Sequence, residues 1–296
     1  MSMAIRTSGL TKAYRRATAL DNVSLEVPAG IVFGYLGPNG AGKTTTIRIL
    51  AGLLRPTSGT ATILGTDVLA DREGAQQHVG YLPGDFVAYA DLTAEQYLRY
   101  LGNLRGGVPS SRARGLAERL RLDLGSRIGE MSHGNRQKVG IIQAFHHQPE
   151  VLILDEPTAG LDPLVQREFL GMVREARDEG RTVFLSSHVM SEVEAVADTV
   201  GILRRGALTE VADVATLKAQ ALRRIDMVLE ESVPLEDLRM IDGVREATRD
   251  HTGTHVLVEG STAPLLSHAA PYGISSIITQ EPDLEEIFLG YYAKGA

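Results

Sequence analysis

From residue 4 to about 30, apolar positions alternate with polar ones through Leu20, Val23, Leu25 and Val27. A period near two predicts antiparallel strands with one buried face. The run Ile31-Val32-Phe33 then predicts a buried strand, and Ile47 to Leu54 a helix. Between about Leu92 and Arg136 the rhythm becomes helical, with Tyr97, Leu98, Tyr100, Leu101 and Leu104 as one stripe. A further helix opens at the small-residue turn after Met131 and continues through Val139 to Phe145. Four consecutive apolar residues, Val151 to Leu154, predict a strand buried on both faces, the form a central parallel strand takes. Helix-like Leu164 to Ala176, strand-like Val183 to Leu185, helix-like Val189 to Ala197 and strand-like Val200 to Leu203 follow. That alternation is what a doubly wound α/β sheet requires.

After about Arg223 the register changes. Ile225, Met227 and Leu229 alternate as a strand, Pro234 to Ile241 reads as a helix, and Val244 to Thr248 and His255 to Val258 as strands joined by a turn. Leu265 to Ala270 reads as a helix, Ile274 to Ile278 as a strand, and Leu284 to Tyr292 as a terminal helix. The order βαββαβ is ferredoxin-like. The expected organisation is a domain over residues 1–222, with a helical part at about 90–145, and a small α+β domain over 223–296.

A length of 296 residues accommodates a full-sized core and a smaller second domain. The absence of cysteine excludes disulfides and cysteine-ligated zinc. No apolar run approaches the roughly 20 residues that span a bilayer, and Met1 to Arg6 lacks the apolar core of a signal peptide. A cytoplasmic chain is therefore expected. The net charge of −7 argues against general attraction to nucleic acid. Arg112, Arg114, Arg119 and Arg121 alternate with leucines at helical spacing and read as the wet face of an amphipathic helix.

Chemistry enters at Gly37-Pro38-Asn39-Gly40-Ala41-Gly42-Lys43-Thr44-Thr45, which satisfies GxxxxGK[ST] between a strand and a helix. The glycines let backbone N–H groups turn toward phosphate oxygens, and the helix points its positive end at them. Lys43 supplies a point charge for the terminal phosphates, and Thr44 a hydroxyl for Mg²⁺. Asp155 and Glu156 end the buried strand where ligands bind in open α/β sheets. Asp155 suits the Mg²⁺ shell, and Glu156 a base that orients the attacking water.

With Met131-Ser132-His133-Gly134-Asn135-Arg136-Gln137-Lys138, Gly160-Leu161-Asp162-Pro163 and Ser186-Ser187-His188 in this order, the first three quarters of the chain resembles the ATP-binding subunit of an ABC transporter. The resemblance implies a phosphate-loop NTPase core with an antiparallel β subdomain and a helical subdomain. It makes Ser132, Gly134 and Asn135 part of a signature loop that contacts the γ-phosphate held by a second subunit. It makes His188 the switch histidine and Asp162 the residue that crosses the dimer interface. Tyr14 matches the aromatic that stacks on adenine, with an edge-strand aromatic as the other reading. Two departures stand out: His133 and Asn135 replace the usual glycine and glutamine of the signature, and Gly84-Asp85 stands where many members carry a glutamine that reaches Mg²⁺. Either Asp85 substitutes or the position is a hinge.

The ending Glu281 to Leu289 resembles the accessory domain of ABC-2 type, drug-exporter-like ATPases, where dimer contact, regulation and inert packing are the open roles. The resemblance implies ATP and Mg²⁺, a second copy or a homologous ATPase subunit, and a separate integral membrane permease at whose cytoplasmic face the chain sits. A soluble ABC ATPase acting on nucleic acid or ribosomes is the rival class. A regulator without turnover is disfavoured by the presence of Glu156 and His188.

Overall fold

The alternation at the start of the chain folds as a long antiparallel pair, β1 (Met3–Tyr14) and β2 (Ala17–Pro28), with Ile5 opposite Val27 and Leu10 opposite Val23. The computed structural model describes residues 2–15, 17–220 and 222–280. It divides into two compact units, Met1–Val211 and Ala212–Ala296. The helix expected over Leu284–Tyr292, and the stretch Glu281–Leu289 that carries the accessory-domain resemblance, lie outside the described residues.

In the first unit, β3 (Val32–Leu36) is buried throughout and feeds α1 (Lys43–Leu50). That helix ends short of Leu54 because Gly52 adopts a left-handed φ of 65°. Leu53 and Gly52 then return their N–H groups to Arg48 and Ile49, closing the last turn. β4 (Ser58–Ile63) pairs with β1, and β5 (Thr66–Asp67) follows it, which completes a four-stranded antiparallel sheet in the order β2-β1-β4-β5. Next come α2 (Arg72–Gln77), β6 (Val79–Leu82), α3 (Ala94–Leu104), α4 (Ser110–Arg119) and α5 (His133–Phe145). Thr93 and Gln96 form a reciprocal capping box at the start of α3. Arg119 on α4 reaches Glu168 and Glu175.

The chain continues through β7 (Val151–Asp155), α6 (Pro163–Asp178), β8 (Thr182–Ser187), α7 (Met190–Glu194), β9 (Thr199–Arg204) and β10 (Ala207–Asp213). The helix expected over Val189–Ala197 contracts to α7, and Ala195 to Ala197 close as hydrogen-bonded turns before the Asp198 carboxylate caps the Val32 N–H. The second sheet has the order β10-β9-β3-β8-β7-β6, with β3, β6, β7, β8 and β9 parallel. Its faces are covered by different cores. Val151 and Ile153 point into one with Leu10, Ile47 and Ile63, while Leu152 and Leu154 point into another with Val139, Ile142 and Phe169. A strand with two dry faces reads in sequence as an unbroken apolar run, as β7 does.

The second unit opens with α8 (Val214–Gln220) and continues through β11 (Leu222–Leu229), α9 (Leu235–Arg239), β12 (Val244–Asp250), β13 (Gly253–Glu259), α10 (Ala263–Ala269) and β14 (Ile274–Gln280). The sheet is antiparallel in the order β12-β13-β11-β14, the ferredoxin-like topology expected from the alternation. Its own core gathers Ile225, Met227, Val233, Leu238, Val256, Val258 and Leu265. Its two edges differ. β12 carries Arg245, Glu246, Arg249 and Asp250, whereas β14 has no charged residue and leaves Ile277 and Ile278 exposed.

One prediction concerns this sheet. The His255 imidazole lies between two carboxylates, with Nδ1 2.6 Å from Asp226 Oδ1 and Nε2 3.0 Å from Asp250 Oδ1. Asp226 first and then Asp250 raise its pKa above the ordinary 6.5. A raised folded pKa contributes stability that is full below the unfolded value and is lost as pH rises through the folded one. The thermal midpoint of this unit is therefore expected to fall as pH rises above the ordinary histidine value of 6.5, and His255→Gln is expected to flatten the dependence. A native midpoint that rises over this range would contradict the assignment.

Candidate functional site

Because β3, β7 and β8 run parallel and in register, with Leu36 beside Ser187 and Asp155 beside Ser186, their C-terminal ends deliver three loops to one edge of the sheet. The first is Gly37–Thr45. A Cβ on Gly37 would lie 2.4 Å from the Leu203 carbonyl oxygen, and one on Gly42, at φ 114°, would lie 2.5 Å from that of Ala19. Only glycine lets the backbone lie this close while its N–H groups open toward a ligand. Pro38, Asn39, Gly40 and Thr44 are exposed, Thr45 is half-buried and Ala41 is buried. Lys43 is 6 % exposed, and its Nζ donates to the Gly37 carbonyl at 2.6 Å.

The second loop begins at Asp155, which is buried and accepts from Ser186 Oγ at 2.6 Å. Gly84 stands beside it, since a Cβ there would be 3.4 Å from Asp155 Oδ2. Asp85 itself is exposed. Burial first, and then the Asp155 carboxylate, push the Tyr81 phenol up to about 12 against the opposing pull of Arg48. Glu156 takes a left-handed φ of 48°, a conformation that costs a residue with a Cβ about 1–3 kcal/mol. It is held there on both sides: its N–H reaches Ser186 O and Oγ at 3.2 Å each, and its carbonyl accepts from Gln137 at 3.3 Å.

The third loop supplies His188. Its Nδ1 lies 2.6 Å from Glu156 Oε2, which also accepts from the His188 N–H at 3.2 Å. Glu156 Oε1 is 3.6 Å from Lys43 Nζ. One carboxylate thus sits between a cationic amine and an imidazole, and marks a place where the fold holds an anion. With the glycine-built cradle and the buried Asp155, this donor set fits a triphosphate and its metal ion.

Other expected residues stand apart from this cluster. Ser132 caps α5 through Asn135 N–H at 3.2 Å, and Asp162 caps α6 by accepting from Leu164 and Val165, each at 3.1 Å. The two loops touch each other: a Cβ on Gly134 would meet the Gly160 carbonyl oxygen at 2.5 Å. Tyr14, 53 % exposed at the end of β1, has the Lys12 ammonium 5.2 Å from its ring centre. Among the described residues, no hydrogen bond or ion pair joins Tyr14, Ser132 or Asp162 to Lys43, Glu156 or His188.

Three supporting residues have no role assigned to them by the sequence motifs. Ser186 links the Asp155 carboxylate to the Glu156 N–H, Gln137 holds the Glu156 carbonyl, and Glu192 Oε2 accepts from both Thr158 at 2.6 Å and Ser187 at 3.2 Å. The available signal for Ser186 is a hydroxyl closing an otherwise apolar strand. For Gln137 it is an amide on the face of α5 that also carries Ile141 and Ala144.

A family model described as "ABC transporter" matches residues 20–159. The bacitracin transport ATP-binding protein BcrA of Enterococcus faecalis is 34 % identical over 256 residues, covering 82 % of this chain and 83 % of its own. The linearmycin resistance ATP-binding protein LnrL of Bacillus subtilis (strain 168) is 31 % identical over 309 residues, covering 96 % of this chain and 97 % of its own. Among solved structures, one described as "Structure of ATP binding subunit of ABC transporter" superposes with a TM-score of 0.68 at 30 % identity, over 73 % of this chain and 92 % of that one.

Proposed function

The chain belongs to the ATP-binding, ATP-hydrolysing subunits of ABC transporters, and from that premise we propose that two copies close around two ATP molecules to drive a separate membrane permease that exports a drug, lipid or other small molecule. The observation that carries the reading is the Lys43, Glu156 and His188 cluster at the shared strand ends. An arriving γ-phosphate takes over the donors that Glu156 now engages, Lys43 on one side and His188 on the other. The freed carboxylate then accepts a proton from the attacking water. Thr44 and Asp155 would hold Mg²⁺, which supplies charge neutralisation at the phosphates. The partner's Ser132 and Gly134 would complete the site, with N–H groups at a helix start offered to the phosphate.

Export follows the names of the relatives, which concern bacitracin transport and linearmycin resistance. A landing surface for the permease lies just beyond Gly84-Asp85, where Val87, Tyr89 and Tyr100 are 84 %, 61 % and 47 % exposed and the two tyrosines meet edge to face. Among the described residues no helix is long and apolar enough to cross a membrane. A tagged chain purified from detergent-solubilised membranes is expected to bring an integral membrane protein with it. Recovery of ribosomal or DNA-bound partners in its place would overturn the reading.

A further inference from the structure

Gln137 lies one turn into α5, past the Ser132 cap, and is 1 % exposed. Its Nε2 donates to the carbonyl oxygens of Glu156 at 3.3 Å and Pro157 at 3.0 Å. Both neighbours are pure acceptors, so the amide must present its nitrogen to them. Its Oε1 is then buried with no hydrogen-bond partner. The orphaned oxygen costs about 1–3 kcal/mol, which offsets much of what the two donated bonds contribute, so packing alone does not explain this residue.

The two carbonyls it binds belong to the turn that needs support. Glu156 is left-handed at φ 48°, and such outliers persist only where their surroundings hold them. Ser186 fixes the N–H side of Glu156, and Gln137 shares the carbonyl side with the Ala159 N–H, which donates to the same oxygen at 3.2 Å, so together they fix the direction in which the carboxylate leaves the backbone. Gln137 is the member of this group that comes from the helix beginning at Ser132.

We propose that Gln137 is a positioning residue for hydrolysis: its amide clamps the Glu156-Pro157 turn so that Glu156 faces the attacking water, and ties that turn to the helix that meets the nucleotide held by the partner subunit. This rests on the reading of Glu156 as the base. The α5 helix then reaches the Glu156 backbone through the Gln137 amide, and engagement of its N-terminus by a phosphate is felt at the base of the same chain.

The test is Gln137→Met, which keeps length and volume while removing both donated bonds and the orphaned oxygen. Turnover at saturating ATP is expected to fall about tenfold or more, because small misplacements of a catalytic group cost rate steeply. ATP affinity is expected to stay within about twofold, and the melting temperature to fall by no more than about 4 °C, since the loss of the two donated bonds is partly offset by removal of the orphaned oxygen. Gln137→Asn, whose amide is one methylene short of the carbonyls, is read in the same way and covers the case in which the methionine variant does not fold. Turnover within about twofold of native in a folded variant overturns the proposal. So does a joint loss of turnover, affinity and melting temperature, which marks a residue of general structural use. Glu156→Gln is assayed alongside. If it hydrolyses ATP at a near-native rate, the premise about the base has failed and the proposal with it. If it is inactive while Gln137→Met is fully active, only the role of Gln137 has failed.

Discussion

Glu156→Gln is expected to lower ATP turnover by about 10²–10⁴-fold, the usual contribution of a positioned general base, while ATP binding stays within a few-fold. The side chain is nearly isosteric, so it can still bond His188, but an amide cannot take the proton of an attacking water. It also removes the negative charge 3.6 Å from Lys43, leaving that ammonium more available to phosphate. Bound ATP then has no way out through hydrolysis, and the ATP-closed dimer should accumulate. Size-exclusion chromatography with and without ATP reads the dimer, and phosphate release reads the turnover. Turnover within a few-fold of native would remove Glu156 from the role.

The second large effect separates the two halves of a composite site. Lys43→Ala removes the amine from the phosphate loop of its own chain. Ser132→Asp keeps the capping oxygen that Asn135 N–H uses, so the start of α5 survives, yet it sets a carboxylate against the phosphate held by the partner subunit. Each variant alone is expected to be nearly inactive. Mixed in equal amounts, random pairing puts both defects in one site of every mixed dimer and leaves the other intact. Specific activity should then recover to about a quarter of native, since about half the dimers are mixed and half of their sites work. Failure to recover at any mixing ratio would leave the assignment of Ser132 in trans without support.

What could be seen in the sequence followed from how local the cause was. β7 announced itself because both of its faces are dry, and the glycine loop because close backbone approach to phosphate demands that spacing. β4 gave no such signal: Ser58, Gly59 and Thr60 lie exposed beside β1, and pairing with β1 rather than their own apolar content makes them a strand. The early end of α1 depended on Gly52 adopting a left-handed φ, which the apolar run to Leu54 masked. In the site, Lys43, Glu156 and His188 were legible as single residues, but the registers Leu36–Ser187 and Asp155–Ser186 are what bring them together. Gln137 and Glu192 were silent because the partners Glu156, Pro157 and Thr158 lie 19 to 34 residues away.

The unequal edges of the C-terminal sheet bear on how the molecule behaves in a test tube. An edge strand is an open template for other chains, and charges are the ordinary guard against it. β12 has four charged residues; Ile274-Ser275-Ser276-Ile277-Ile278-Thr279-Gln280 has none, and no proline or glycine to interrupt it. Among the described residues of this sheet, β14 is therefore expected to be more open to strand addition than β12 in concentrated or heat-stressed preparations, and a single lysine at the exposed Ser276, across from Val228, is the smallest substitution that would blunt it.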